Sequence, residues 1–392
     1  MLTAANAEIV RATLPVVGEH LDAITATFYD TMLAERPELR DLFSRSAQAS
    51  GEQRRALAAA VAGFATALVS AEADVDVLVG RIAHRHASLG ITPQQYTMVG
   101  RYLLGAVGAV LGEAVTPAVA AAWDEVYWLF AVRLIGLESR LYTRAGVEAD
   151  EPWREYTVAR RHADADDTVS LILVPADGGS APHFDAGQYV TVAVRLPDGG
   201  RQLRQYSLSQ APGGAALRVT VRRVPGGLVS GFLHDNIGEG DRLTLSAPYG
   251  DLTLRPGASP LVLVSAGVGI TPMAAILDHV ARTQPNREVV AVHAERGPGR
   301  HPLRADVAGS GARLRSFRHL VWYEEPGEHA ASAHVRPGMV EPELIPLSPD
   351  SEAYLCGPIP FMRTVRAALR ERGLPAERIH YEVFGSGVPV TR

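Results

Sequence analysis

The spacing of apolar residues changes period twice along this chain, and each change dictates a different kind of packing. From Leu2 to about Arg144 apolar residues recur every three to four positions, as in VDVLVGRIAHRHASL and QYTMVGRYLLGAVGAVL. That is the period of helices with one buried face. Residues 1–150 hold only four of the 26 prolines and 11 of the 37 glycines, so little interrupts them. The breaks at Pro37, Pro93 and Pro117 read as helix starts, which gives six or seven helices. After the acidic connector GVEADEPWRE the period falls to two. YTVARR, TVSLILV, QYVTVAVRL, LRQYSLSQ and ALRVTVRRV, separated by the turns DGGSAP, PDGG and APGG, read as short strands of an antiparallel β-barrel. One helix, VSGFLHDNI, interrupts it. From Pro260 strands and helices alternate: LVLVSAG before TPMAAILDHVART, then EVVAVHA, FRHLVWY, AYLCGP before FMRTVRAALRERG, and RIHYEVFG. Such alternation predicts a parallel, doubly wound α/β sheet. The expected domains are 1–147, all-α; 148–257, the β-barrel; and 258–392, the α/β sheet.

Composition narrows the function classes. A chain of 392 residues, 47% of them apolar, can bury more than one core. Its net charge of −5 is spread over mixed signs, with no basic stripe for nucleic acid and no polybasic membrane anchor. All 38 basic residues are arginine, which excludes a Schiff-base lysine and a phosphate-loop lysine. A single cysteine, Cys356, excludes disulfides within the chain, argues against thiolate metal sites and fits a reducing cytoplasm. The amino-terminal MLTAANAEIVRATL meets Glu8 and Arg11 before a signal-peptide core could form, and no apolar run reaches membrane-spanning length. The expectation is a soluble, cytoplasmic monomer whose partners are small molecules.

SAGVGITPM joins a buried strand to a helix through a glycine-rich turn, a geometry that brings backbone N–H groups and a positive helix end to a pyrophosphate. By itself it reads equally well as an ordinary tight βα turn. Its neighbours are GQYV at 187–190, RQYSL at 204–208, GGLVS at 226–230, LCGP at 355–358 and YEVFG at 381–385. With these motifs in this order, the region resembles the ferredoxin–NADP reductase-like family, a flavin barrel followed by a nicotinamide domain. The resemblance implies FAD held by Arg204, Gln205, Tyr206 and Ser207, with arginine on the diphosphate and the Tyr-Ser pair against the flavin. Tyr189 adds a flavin contact and Ser230 caps the diphosphate at a helix start. By the same resemblance Gly267, Val268, Gly269, Ile270, Thr271 and Pro272 line the nicotinamide nucleotide. Gly357 and Pro358 flank the nicotinamide beside Cys356, which reads equally well as a small buried residue at a strand end. Phe384, between Val383 and Gly385, covers the flavin ring; the family often has proline two positions later, where this chain has Ser386. Arg296 and Arg300 could meet a 2′-phosphate or simply be solvated, so NADH and NADPH both stay open.

The helical part poses a choice between two histidines in RIAHRHASLG, residues 81–90. Val75, Val79, Ile82 and Leu89 form one stripe, and His86 falls on it, four residues after Ile82. His84 instead shares a face with Arg81 and Arg85, which predicts solvent around it. A histidine on an apolar stripe is by default a hydrogen-bonded core residue. FYDTML at 28–33, PELRDLF at 37–43, GEQRRAL at 51–57, the RIAHRH helix, PQQYTMVG at 93–100 and LESRLY at 137–142 occur in order. Together they resemble the globin domain of flavohemoglobins, and with the reductase behind it the resemblance covers the whole chain. It implies that His86 is the proximal ligand of a b-type haem, with Tyr96 and Glu138 hydrogen-bonded around the imidazole. Glu138, among Leu134, Leu137 and Leu141, reads also as a surface charge on an amphipathic helix. On the opposite side the resemblance places Tyr29 as a donor to bound oxygen, Phe43 on the ring, and Gln53 and Leu57, four apart and so on one helical face.

The implied activity is that of a nitric oxide dioxygenase: NAD(P)H reduces FAD, FAD passes single electrons to haem, and dioxygen and nitric oxide become nitrate. Keeping both Tyr96 and Glu138 places the chain with the nitric oxide-consuming members of the family. Residue chemistry alone reaches only haem oxygen activation driven by a nicotinamide flavin reductase. A haem-dependent peroxide or alkyl hydroperoxide reductase uses the same cofactors. A haem-based gas sensor is a rival of another class, weakened by the fused reductase.

Overall fold

In the computed structural model of this chain, residues 2–42, 51–70, 75–327 and 334–385 are described. They group into two units, Met1–Trp153 with Ala193–Leu203, and Arg154–Val192 with Arg204–Arg392. Among the described residues no helix is long and apolar enough to cross a membrane.

The first unit holds six α-helices among its described residues: α1 (Ala4–Glu19), α2 (Leu21–Glu35), α3 (Glu52–Val69), α4 (Val75–Leu89), α5 (Pro93–Leu111) and α6 (Pro117–Ala145). Pro93 and Pro117 open helices as their fixed φ favours. Thr92 and Gln95 form a capping box before α5, and Thr116 caps α6 by accepting the Val119 N–H at 3.3 Å. Pro37 instead opens a single 3-10 turn, Pro37–Leu42. Phe28, Met32, Phe64, Tyr102, Trp123 and Leu134 are all buried in one core, each large apolar side chain contributing about 1.5–3 kcal/mol. α4 ends in a Schellman motif: Gly90 takes φ +74°, its N–H bonds Ala87 O at 3.2 Å, and the Ile91 N–H bonds His86 O at 3.1 Å. The glycine of RIAHRHASLG therefore fixes the backbone of the histidine four residues before it.

The second unit holds a parallel sheet and most of a barrel, whose Trp153 and residues Ala193–Leu203 group with the first unit. The barrel strands are β1 (Trp153–Ala165), β2 (Thr168–Pro175), β3 (Tyr189–Arg195), β4 (Arg201–Ser207), β5 (Leu217–Arg222) and β6 (Arg242–Ser246), in the order β4-β3-β6-β1-β2-β5. β2 runs antiparallel to both β1 and β5. An isolated antiparallel bridge, Leu208↔Val219, joins the two ends of that order and closes the sheet on itself. β6 escaped the sequence reading because five residues between glycine-rich turns carry too little alternation. The helix α7 (Leu228–Asn236) lies where it was expected.

The parallel sheet consists of β7 (Leu261–Ala266), β8 (Val289–Glu295), β9 (Phe317–Tyr323), β10 (Val335–Pro337), β11 (Glu352–Cys356) and β12 (Ile379–Glu382), ordered β10-β9-β8-β7-β11-β12. Its helices are α8 (Ile270–Thr283), α9 (Arg304–Gly311) and α10 (Ile359–Glu371). Neither α9 nor β10 was anticipated. RADVAGSG has two glycines and no apolar period, and a three-residue strand has no period at all. The strand order reverses between β7 and β11, a switch point where doubly wound sheets open a ligand crevice.

Candidate functional site

His86 lies in the last turn of α4, its side chain 31% exposed. Its Nδ1 is 2.8 Å from the Tyr96 hydroxyl and 2.9 Å from Glu138 Oε1, and Tyr96 donates to that same Oε1 at 2.5 Å. Three helices thus converge on one imidazole nitrogen. The capping box places Tyr96 in the first turn of α5, and the Tyr127 hydroxyl donates to its carbonyl at 2.5 Å. One helical turn beyond Glu138, Tyr142 donates to Ile91 O at 2.8 Å. Gly100 makes the Tyr127 contact possible, since a Cβ there would come within 2.4 Å of the tyrosine ring. Sequence reasoning missed Tyr127 and Tyr142, whose partners are backbone carbonyls that no side-chain motif announces.

Glu138 is 2% exposed, so the surface-charge reading fails; the carboxylate is buried with two donors, as a buried charge requires. Burial, reinforced by the Glu138 charge, pushes the Tyr96 phenol far above its ordinary value, so it stays protonated and donates. A neutral imidazole whose Nδ1–H faces a carboxylate keeps Nε2 as its coordinating nitrogen. His84, expected in solvent, is half-buried together with Arg81 and Arg85. α4 packs on both α3 and α6, which narrows its solvated face.

On α2, Tyr29 packs edge-on against Phe28 with ring centroids 4.8 Å apart. Burial raises its phenol above the usual tyrosine range, against a smaller lowering by Arg85; a protonated hydroxyl follows. Leu57, on α3, is half-buried against the same core. Phe43, Ser386 and the side chain of Gln53 lie outside the described residues.

In the barrel, the Leu208 N–H donates to Gln188 O at 2.9 Å, which sets GQYV beside RQYSL. Alternation along β4 puts Arg204 and Tyr206 on one face, Gln205 and Ser207 on the other. Burial raises the Tyr206 phenol and Arg204 lowers it. Tyr189 is buried, and Gly250, at φ +126°, lies against its ring where a Cβ would stand 3.1 Å away. The Ser230 hydroxyl accepts the Val224 N–H at 3.1 Å and donates to Gly227 O at 3.4 Å. It therefore caps the turn that leads into α7.

At the switch point, Gly267–Gly269 form a 3-10 turn after β7, followed by Ile270, Thr271 and Pro272 in the buried first turn of α8. The Thr271 hydroxyl donates to Val268 O at 3.0 Å. Gly269 packs directly on the loop after β11: a Cβ there would stand 2.3 Å from Cys356 O and 2.8 Å from Gly357 N. The motifs SAGVGITPM and LCGP thus meet backbone to backbone, at the positive end of α8 where an anion is favoured. Pro358 leads from LCGP into α10. Cys356 is fully buried, and burial, then the Glu382 charge, pushes its thiol well up, as suits a small core residue. Val383 is half-buried, while Phe384 is 42% exposed beside Gly385 at φ +94°. Of the two arginines considered for a 2′-phosphate, Arg300 is bound to Asp167 at 2.6 Å and 3.2 Å. Arg296 is exposed just after β8.

Three family models match successive stretches of the chain. Family models match as Globin over residues 26–133, as Oxidoreductase FAD-binding domain over 179–254 and as Oxidoreductase NAD-binding domain over 263–367. The chain is 42% identical to the Flavohemoprotein of Bordetella pertussis, with 99% of each chain covered. It is 40% identical to the Flavohemoprotein of Rhizobium meliloti, with 98% of each covered. Among solved structures it resembles the flavohemoglobin of Malassezia yamatoensis with bound FAD and heme, at TM-score 0.90 and 34% identity, over 98% of this chain and 100% of that one. It also resembles the FAD/NAD binding domain of nitric oxide dioxygenase from Vibrio cholerae, at TM-score 0.56 and 36% identity, over 59% of this chain and 98% of that one.

Proposed function

Since the chain belongs to the flavohemoproteins, oxidoreductases that join a globin to FAD- and NAD-binding domains, we propose that it is a nitric oxide dioxygenase. Residues 1–147 would form its haem domain, 148–257 its FAD domain and 258–392 its nicotinamide domain. In the balanced reaction, two nitric oxide and two dioxygen molecules with one NAD(P)H give two nitrate ions, NAD(P)+ and one proton. When bound, haem supplies a one-electron site for the two gases, FAD divides an electron pair into single electrons, and the nicotinamide supplies hydride.

The observation that carries this reading is the triangle of His86, Tyr96 and Glu138. With Nδ1 committed to a buried carboxylate, His86 offers Nε2 to iron and takes on anionic character, which favours oxygen activation over storage. Tyr29 holds its proton and can donate to a ligand that gains negative charge. Arg204 offers a planar fork to the FAD diphosphate, and the exposed ring of Phe384 fits a role in covering the flavin. Gly267–Gly269 and the start of α8 would take the nicotinamide nucleotide's pyrophosphate.

Mixing the reduced, oxygen-equilibrated holoprotein with nitric oxide should give nitrate in proportion to the nitric oxide consumed. If nitrate stayed at the buffer background while alkyl hydroperoxides were turned over rapidly, the peroxide-reductase reading would replace this one. Tyr29→Phe keeps the ring and removes the donor. A charge-assisted hydrogen bond contributes about 1.5–3 kcal/mol, so dioxygen should dissociate roughly ten- to a hundred-fold faster. Stopped-flow measurement of oxygen release checks this, and an unchanged rate would assign the donor elsewhere.

A further inference from the structure

Barrel and parallel sheet meet through one guanidinium. Arg222, the last residue of β5, donates through Nη2 to Glu295 Oε2 at the end of β8 and, at 2.7 Å, to the Arg300 carbonyl in the Pro298–Arg300 turn. Its Nε lies 3.3 Å from Oδ1 of Asp167, in the turn between β1 and β2. Asp167 in turn holds the Arg300 side chain, and the neighbouring Asp166 N–H donates to Gly299 O at 2.8 Å. The turn after β7 closes on the same group, since a Cβ on Gly267 would come within 2.9 Å of Arg222 Nη1. One side chain therefore touches the barrel turn, the end of β8 and the first glycine of SAGVGITPM.

Both partners are largely buried, Arg222 19% and Glu295 4% exposed at the side chain. A buried ion pair contributes little net stability, because desolvation offsets the attraction; what it fixes is relative position. Hydride transfer needs that: the donor carbon and the flavin must approach within roughly 3–3.5 Å, and a misplacement of about 1 Å can cost 10²-fold. We propose that Arg222 is a positioning residue for hydride transfer, setting the barrel that carries the flavin against the crevice that carries the nicotinamide through Glu295, Arg300 and Asp167. This rests on the cofactor placement given above. Arg222, Glu295 and Asp167 stand in none of the motifs that pointed to FAD or nicotinamide.

The test is anaerobic stopped-flow reduction of holoprotein flavin by NADH and by its deuterated form. The variants are Arg222→Leu, Glu295→Ala on the sheet side only, and the double variant. With FAD content intact and the half-saturating NADH concentration changed less than about threefold, the limiting reduction rate should fall ~10–100-fold. The long-wavelength flavin–nicotinamide charge-transfer band should weaken in parallel. The double variant should be no slower than the slower single, because both remove one tie. A limiting rate unchanged in both single variants overturns the proposal, as does an effect confined to half-saturation, which would make Arg222 a ligand contact. Additive losses in the double variant also overturn it, and so does loss of FAD from the Glu295→Ala protein. If NADH fails to reduce the flavin of the unaltered protein, the cofactor placement itself is wrong.

Discussion

Replacing His86 with alanine should yield a protein that keeps its flavin and loses its haem. The Soret band should vanish and nitrate formation with it, while NADH oxidation by ferricyanide continues at the normal rate, because the reductase folds around its own cores. Glu138 would then retain Tyr96 alone in a site only 2% exposed, a loss of roughly 1–3 kcal/mol that should show as a lowered melting temperature of the globin. His84→Ala is the matched control. His84 is half-buried one helical face away, and its removal should cost about 1 kcal/mol or less and leave the haem in place. Haem loss from the His84 variant, with retention in the His86 variant, would mean that α4 is read in the wrong register.

Gly269→Ala should damage the reductase through a single methyl group. The added carbon would meet Cys356 O at 2.3 Å, the Cys356 carbonyl carbon at 2.6 Å and Gly357 N at 2.8 Å. All three are backbone atoms of the neighbouring loop, so β7 and β11 must move apart. Overpacking of this kind costs about 1–3 kcal/mol and sometimes more. Because the clash sits in the crevice, NADH-driven flavin reduction should fall about tenfold or more even where FAD remains bound, whereas chemical reduction of the haem by dithionite stays normal. Gly105→Ala and Gly108→Ala in α5 have nothing within 4 Å of the new carbon and should be neutral or stabilising by up to ~1 kcal/mol. Equal melting temperatures for all three would remove the steric argument.

Legibility in the sequence followed the range of the interaction. The helix starts at Pro93 and Pro117 and the strand–helix alternation after Pro260 are set by neighbours within a few positions, and both are found as expected; of the stripe that carries His86, Val79 and Ile82 pack into the core. Glu138 stood open between surface and site, because its leucine neighbours describe an amphipathic edge; only the fold brings α4, α5 and α6 onto one carboxylate. The short β6 and the glycine-bearing α9 went unseen for want of enough residues to display a period. The Arg222 cluster is further out of reach. Its partners lie 55 to 78 positions away, at Asp167, Glu295 and Arg300, and an ion pair at that separation leaves no local pattern.

The bridge between Leu208 and Val219 bears on how the polypeptide behaves when crowded by copies of itself. An unpaired strand edge is a template for adding another chain, the route into fibrous aggregates. Here the barrel's two terminal strands are joined to each other, backed by the Ser209 N–H to Arg218 O bond at 2.9 Å. The parallel sheet ends on one side at the three-residue β10, which finishes in Pro337, and on the other at the four-residue β12. Among the described residues each rim of that sheet is thus only three or four residues long, which leaves little edge for self-templated misassembly.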